Sequence, residues 1–345
     1  MTKQDKIEAF DPNSYADKNS GLFGLPFSLE ESETVLIPVP WEVTVSYGGG
    51  TSEAPEAVKE ASYQVDLYDP ILEDAWKKGI FLDELNPLIY SKSQKLRELA
   101  KQHIENLEEG LEADNSVLKK VKEECLWLNN LIKERALELL KKNKSVGMLG
   151  GDHSTPLGLI QAMAEIHQNF GILQIDAHAD LRDAFEGFEF SHASIMFNAL
   201  KIQQVQKLVQ VGIRDYCQSE LDIIKKSNGR VSTYFDKHLK YDSYRGKTWQ
   251  DQCEEIIKDL PQKVYISFDI DGLDPKLCPN TGTPVAGGFE VEQVLFLFEM
   301  LVESGREIIS FDLNEIGVSE DTDWDANVGA RLLYRLCNLM QKSKK

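Results

Sequence analysis

The chain predicts an α/β fold, a parallel sheet covered by helices, and three observations carry that prediction. Short β-branched apolar runs recur along it, helical stretches separate them, and two of the runs pass straight into acidic residues. The predicted strands are VLIPV at 35–39, SVGMLG at 145–150, GILQID at 171–176, LVQVGI at 208–213, VYISFD at 264–269 and EIISFDL at 307–313. Between the early strands, residues 91–143 carry apolar side chains three and four apart among Glu and Lys, the pattern of two or three inserted amphipathic helices that serve packing. AsnGly at 228–229 predicts a turn into a further short strand, VSTYF, and the segment from Asp325 to about Gln341 predicts a closing helix. No repeat, low-complexity tract or linker divides the chain, so residues 31–345 read as one domain behind an N-terminal extension, 1–30.

With 345 residues and 42% hydrophobic content, the chain is long enough to bury a large core. Its 38 basic and 57 acidic residues give a net charge of −19, the wrong sign for a phosphate backbone or an anionic bilayer. Nucleic acid and membrane partners are therefore disfavoured, and a cationic small molecule would be favoured on approach. The five cysteines are scattered, odd in number and contain no Cys-x-x-Cys pair, which fits a reducing cytoplasm. No apolar run reaches transmembrane length.

The acids at the ends of predicted strands are the chemical signal, because ligands of open α/β sheets bind at the carboxyl ends of the strands. Asp176, His178 and Asp180 form Asp-x-His-x-Asp after GILQI; spaced by two on an extended backbone, they would project to one side. Asp269 and Asp271 repeat that spacing after VYISF, and His153 lies in GlyGlyAspHisSer just past SVGML. Four carboxylates and two imidazoles make an oxygen-rich set suited to Mn²⁺ or a similar divalent ion. Packed together without cations the carboxylates would repel one another, so the set predicts a binuclear site. Two ions about 3.5–4 Å apart lower the pKa of a shared water from about 15.7 towards neutrality, which supplies a hydroxide nucleophile. GlyGlyGly at 48–50 lacks a following Lys-Ser or Lys-Thr and reads as a flexible turn lining the pocket, not a phosphate loop.

Three signatures, GGDHS at 150–154, DAHAD at 176–180 and SFDIDGLDP at 267–275, closely resemble the arginase, agmatinase and formiminoglutamase family of ureohydrolases. Weaker matches run from VPWEVTVSYGGGT through VQVGIRD at 210–215 and TGTPVAGG at 281–288 to FDLNE at 311–315. Only the tail before residue 30 and the helical insertion lack a counterpart. The resemblance implies a three-layer α/β/α sandwich with a mainly parallel sheet, and hydrolysis of a guanidino or amidino C–N bond with release of urea. It implies two Mn²⁺, with Ni²⁺ or Co²⁺ as alternatives: one held by His153, Asp176, Asp180 and Asp269, the other by Asp176, His178, Asp269 and Asp271, with Asp176 and Asp269 bridging. By the same resemblance His192 is the proton-shuttling histidine, Glu315 is the carboxylate that pairs with the guanidinium, and the protein is a homo-oligomer, a trimer or hexamer. His103, His167 and His238 match no motif and read as structural or solvent-facing.

Departures from the arginase pattern bear on the substrate. Arg182 stands where arginases carry an Asn that contacts the amino acid end of arginine, and Cys217 where they carry an Asp that reads the α-amino group. A thiol cannot pair with an ammonium as a carboxylate does, so arginine is disfavoured. Arg182 pairs either with a substrate carboxylate or structurally with Asp183 or Glu186. Trp324 and Trp41 are either pocket walls or core. An agmatinase-like activity is the first expectation, then free guanidine, with guanidinobutyrate, formiminoglutamate and arginine as further alternatives. A two-metal phosphatase should gather basic residues, of which only Arg182 is evident, and a non-catalytic metal-binding relative would normally have lost ligands.

Overall fold

A computed structural model describes residues 1–17 and 19–344. In chain order the elements are α1 (Lys3–Ala9), β1 (Thr34–Val39), α2 (Ala54–Ser62), β2 (Ile80–Leu82), α3 (Pro87–Glu108), α4 (Asn115–Lys141), β3 (Ser145–Gly150), α5 (Leu157–Ile166), β4 (Phe170–Ile175) and α6 (Ile195–Ala199). They continue with β5 (Val205–Val211), α7 (Gln218–Lys226), β6 (Val231–Tyr234), α8 (Asp236–Tyr244), α9 (Trp249–Lys258), β7 (Lys263–Asp269), α10 (Val291–Glu303), β8 (Glu307–Asn314) and α11 (Trp324–Ser343). The strands form one sheet in the order β2-β1-β3-β8-β7-β4-β5-β6, and every pairing is parallel. The sheet is thus wholly parallel, one step beyond the expected mainly parallel arrangement. All residues of β1, β3 and β4 are buried, as strands covered on both faces must be.

Two apolar clusters, one on each face, make the three layers. One gathers α2, α9, α10 and α11; the other gathers α3, α4, α5 and α6. The insertion resolves into two helices. Val121, Cys125, Leu128, Ile132, Ala136 and Leu139 form the buried stripe of α4, at the three-and-four spacing seen in the sequence. Each fully buried Leu or Ile in such a stripe contributes about 1.5–3 kcal/mol. The ends of the insertion are written locally: Asn86 caps α3 ahead of Pro87, and the Asp114 carboxylate accepts the Ser116 and Val117 amides at the start of α4.

Residues 22–27 do not hang free: Leu22, Phe23, Leu25 and Phe27 are buried with α2 and α11, and the Phe23 ring meets Tyr334 edge-on at 5.0 Å. β2, an edge strand of three residues, is too short to have left a pattern in the sequence. No helix among the described residues is long and apolar enough to cross a membrane.

What positions the site is the middle of the sheet. β3, β8, β7 and β4 are adjacent, and the chain reaches β4 from β3 by stepping over the places later filled by β7 and β8. Such a switch in strand order leaves a crevice at the carboxyl ends, where the DAHAD, SFDID, GGDH and DLNE segments emerge.

Candidate metal centre

All six expected ligands meet at that crevice, though not by strand alternation. β4 stops at Ile175, so Asp176, His178 and Asp180 lie in the loop beyond it. Asp180 takes a left-handed conformation (φ 53), a backbone cost that non-glycine residues bear chiefly at functional sites. Asp269 closes β7, but Asp271 comes from a 3₁₀ turn, Ile270–Gly272, which opens with the Asp271 amide donating to Asp269 Oδ1 at 2.8 Å. His153 follows two glycines. A Cβ at Gly151 would stand 2.0 Å from the Trp41 carbonyl oxygen, so the close approach there leaves room only for glycine.

Asp176 joins the set into two halves. Its Oδ2 is 3.0 Å from His153 Nδ1, which is also 3.0 Å from Asp180 Oδ2 and 3.3 Å from Asp269 Oδ2. Its Oδ1 lies 3.7 Å from His178 Nδ1, which is 2.9 Å from Asp271 Oδ2. His153–Asp176–Asp269 and Asp176–His178–Asp271 each present ligand atoms within 4.8 Å of one another. Asp176 is thus shared as expected. The second oxygen of Asp269 accepts the Asp271 amide, so the grouping shows one carboxylate common to both halves.

The donor set fits cations. His153 Nε2 is 2.9 Å from Ser267 Oγ, and that hydroxyl donates to Asp312 Oδ1 at 3.0 Å, so the imidazole presents its proton to Ser267 and its bare Nδ1 to the carboxylates. Nδ1 is buried and makes no directed hydrogen bond to any of the three oxygens around it. Donor atoms roughly 3 Å apart could close on a small divalent cation. Electrostatics agree: burial and the neighbouring Asp176 push Asp180 up to about 7, and burial with Asp271 and Asp176 holds Asp269 well above the usual carboxylate range. Burial opposes charge on His153 and His178, yet the surrounding carboxylates raise both. Divalent cations relieve this crowding directly.

His192 opens a short 3₁₀ turn and lines a cleft of about 160 Å³ together with His178, Asp180, Arg182 and Phe185. Burial, then the nearby His178, His153 and Arg97, lowers its pKa to about 3, so it is neutral at physiological pH. Glu315 follows β8 in a left-handed conformation (φ 61), and its Oε1 accepts the His153 amide at 2.7 Å. Burial and Asp152 raise its pKa well above the usual range.

The other candidates separate. Arg182 lines the cleft with its guanidinium 4.6 Å from the Phe185 ring centre; its ion-pair neighbour is Glu220 at 4.0 Å, not Asp183 or Glu186. Cys217 precedes α7, its amide donates to Glu220 Oε2, and it is not among the cleft residues, whereas Asp215, Tyr216 and Glu220 are. Trp324 starts α11 away from the cleft and donates to the Lys276 carbonyl, and Trp41 is wholly buried in the core. The GlyGlyGly turn borders the site through its loop, since Ser46 lines the cleft and the Gly48 amide donates to the Gly282 carbonyl. Sequence reasoning missed the polar layer beneath the ligands. Thr233 donates to Gln210, Gln210 to Gln174, and Gln174 to Asp176 Oδ2 at 2.7 Å. The only trace of it in the sequence is a glutamine inside each of two otherwise apolar strands.

Comparison with known proteins agrees with the geometry. The arginase family model matches residues 32–338. An N(1)-aminopropylagmatine ureohydrolase of Thermus thermophilus is 31% identical over 90% of this chain and 91% of its own. An agmatinase of Bacillus subtilis is 24% identical over 89% and 91%. Among solved structures, the proclavaminate amidino hydrolase of Streptomyces clavuligerus aligns with a TM-score of 0.73 at 20% identity, covering 96% of this chain and 99% of that one. The chain belongs to the arginase family and is a hydrolase of guanidino compounds.

Proposed function

We propose that this protein releases urea from a guanidinium carried on a cationic, carboxylate-free chain, agmatine or an aminoalkyl extension of it, with two divalent cations, Mn²⁺ by preference, at the Asp176-centred site. The observation that carries the substrate reading is the cleft wall: apart from Asp180, whose charge the cations would neutralise, Asp215 and Glu220 line it with one arginine, Arg182, which already lies beside Glu220. An ammonium is stabilised there and a carboxylate is not. Of the relatives, the N(1)-aminopropylagmatine ureohydrolase and the agmatinase point the same way, and a guanidinobutyrase does not. Neither tryptophan lines the cleft; its aromatic residues are Phe185, whose face already carries the Arg182 guanidinium, and Tyr216.

His153, Asp176, Asp180, Asp269, His178 and Asp271 would hold the two cations, which would make a hydroxide available at neutral pH by lowering the pKa of water from about 15.7 to near 7. The remaining work falls to side chains. Glu315 is fixed by the His153 amide through Oε1, which leaves Oε2, without a hydrogen-bond partner among the described residues, to orient the guanidinium. His192, which lines the cleft beside His178 and Asp180, would pass a proton from the attacking water to the leaving nitrogen. The test is urea release by the metal-loaded protein across agmatine, N1-aminopropylagmatine, guanidine, arginine and guanidinobutyrate. The two cationic substrates should turn over fastest; preference for guanidinobutyrate or arginine would refute the substrate reading, and inactivity on all five would refute the function.

A further inference from the structure

The two helices of the insertion do more than cover the sheet. The cleft has two loop walls, residues 43–52 on one side, contributing Ser46, and residues 183–190 on the other, contributing Phe185. A single helix, α3, holds both. From α3, Arg97 donates to the Val45 carbonyl and, at 3.5 Å, to that of Val43, and its Nε lies 3.6 Å from Glu42 Oε1. Glu42 in turn gathers the far end of the same loop, its Oε2 accepting the amides of Gly50 (2.7 Å), Thr51 (2.6 Å) and Ser52 (3.3 Å) and the Thr51 hydroxyl (3.0 Å). Arg97 and Glu42 therefore pin the loop at its start and its end.

Two turns further along α3, the buried His103 accepts the Asp114 amide on Nδ1 at 3.3 Å, so its Nε2 proton goes to the Glu186 carbonyl at 3.1 Å. Glu186 (φ 53) and Gly187 (φ 85) form the tight turn between Phe185 and Phe188, whose backbones bond to each other. Phe185 carries the Arg182 guanidinium on its face and meets the His192 ring edge-on at 6.0 Å. α4 fastens the rest of this wall: Lys122 pairs with Glu189, and the Cys125 thiol reaches the Phe190 carbonyl. A half-buried arginine and a buried histidine that spend their donors on loop carbonyls are costly as packing elements, above all the histidine, because less polar residues would fill the space more cheaply. They are accounted for if what they fix is the loops.

We propose that α3 is the positioning element of the substrate cleft, with Arg97 and His103 setting the separation and orientation of the walls that carry Ser46 and Phe185. Neither residue touches the metal ligands; both act through the loops. This inference rests on the ureohydrolase reading for its kinetic arm alone. The test compares Arg97→Met, Arg97→Lys and His103→Gln with the unsubstituted chain in three measurements: bound metal, amide hydrogen exchange, and kcat and KM with agmatine. Bound metal should be unchanged. In Arg97→Met the amides of 43–52, and in His103→Gln those of 183–190, should exchange about 10-fold faster or more, while peptides of β4 and β7 keep their protection. KM should rise about 10-fold with a smaller loss in kcat, and Arg97→Lys, which keeps a cationic donor, should recover part of both. Unchanged exchange in both loops would overturn the proposal, as would exchange that rises across the sheet together with loss of metal. Failure of the unsubstituted protein to hydrolyse agmatine would instead strike the substrate reading, with the exchange result still deciding the role of α3.

Discussion

Ser267 decides which nitrogen of His153 faces the carboxylates. Its hydroxyl donates to Asp312 and so accepts from Nε2 at 2.9 Å, which turns Nδ1 towards Asp176, Asp180 and Asp269. Removing that hydroxyl in Ser267→Ala leaves a buried N–H without a partner and frees the imidazole to rotate. Metal affinity should drop about 10- to 100-fold, the usual cost of losing an outer partner of a histidine ligand. Isothermal titration of the metal-free variant checks this; affinity equal to that of the unsubstituted protein would show that Ser267 does not orient the ligand.

His178 belongs to the half of the cluster that it shares with Asp176 and Asp271, while His153 belongs to the other. His178→Ala should therefore bind one equivalent of metal in place of two and lose turnover, with the first equivalent bound nearly as tightly as before. Elemental analysis of the dialysed protein measures it. Two retained equivalents with full activity would contradict the ligand assignment.

Metal removal should reverse the pH dependence of stability. With its pKa raised to about 7, folded Asp180 keeps a proton that the unfolded chain has already released by about pH 5. His153 and His178, whose carboxylate neighbours hold them well above the ordinary histidine value, likewise keep protons longer when folded. The folded state binds more protons, so its stability falls as pH rises from about 6.5 to 8. His192 opposes this trend only at the lower end of the interval, where the unfolded imidazole still binds part of a proton and the folded one, with its lowered value, does not. Chelated protein should melt at a lower temperature at about pH 8 than at about pH 6.5, whereas metal-loaded protein should not, since deprotonated ligands bind metal more tightly. Parallel curves with and without metal would argue against a cation at these acids.

Thiol reactivity tests the packing apart from the site. Cys125, Cys253, Cys278 and Cys337 are buried, and burial raises all four thiols, Cys253 to about 12; Cys217 alone is partly exposed. A thiol reagent should modify one cysteine quickly in the native protein and all five in denaturant, with Cys217→Ser abolishing the fast phase. A fast phase of two or more would contradict the packing.

The parallel sheet was legible because buried strands leave continuous apolar runs: six of the eight strands stand where VLIPV, SVGMLG, GILQID, LVQVGI, VYISFD and EIISFDL predicted them, and VSTYF marks a seventh. The cluster was legible because acids and histidines occur together after three apolar strands, although each taken singly reads as a cap or hydrogen-bonding residue. Their geometry was not, since the alternation argument assumed an extended backbone where Asp180 is left-handed and Asp271 sits in a 3₁₀ turn. Also hidden were the tertiary relations: Glu220 beside Arg182, Gln210 beside Gln174, and Arg97 and His103 reaching loops some fifty or more positions away, because contacts of that range leave no spacing in the sequence. Cys217 was located by counting from a motif, which finds a position along the chain without saying which way the side chain faces.

Stepwise Mn²⁺ titration of the metal-free protein, with urea release from agmatine recorded at each addition, bears most directly on the binuclear site. Turnover should appear only as the second equivalent binds and should reach its plateau at two per chain. Urea formed at the full rate without metal, or none formed with two equivalents bound, would contradict the assignment of these six residues to a two-cation hydrolytic centre.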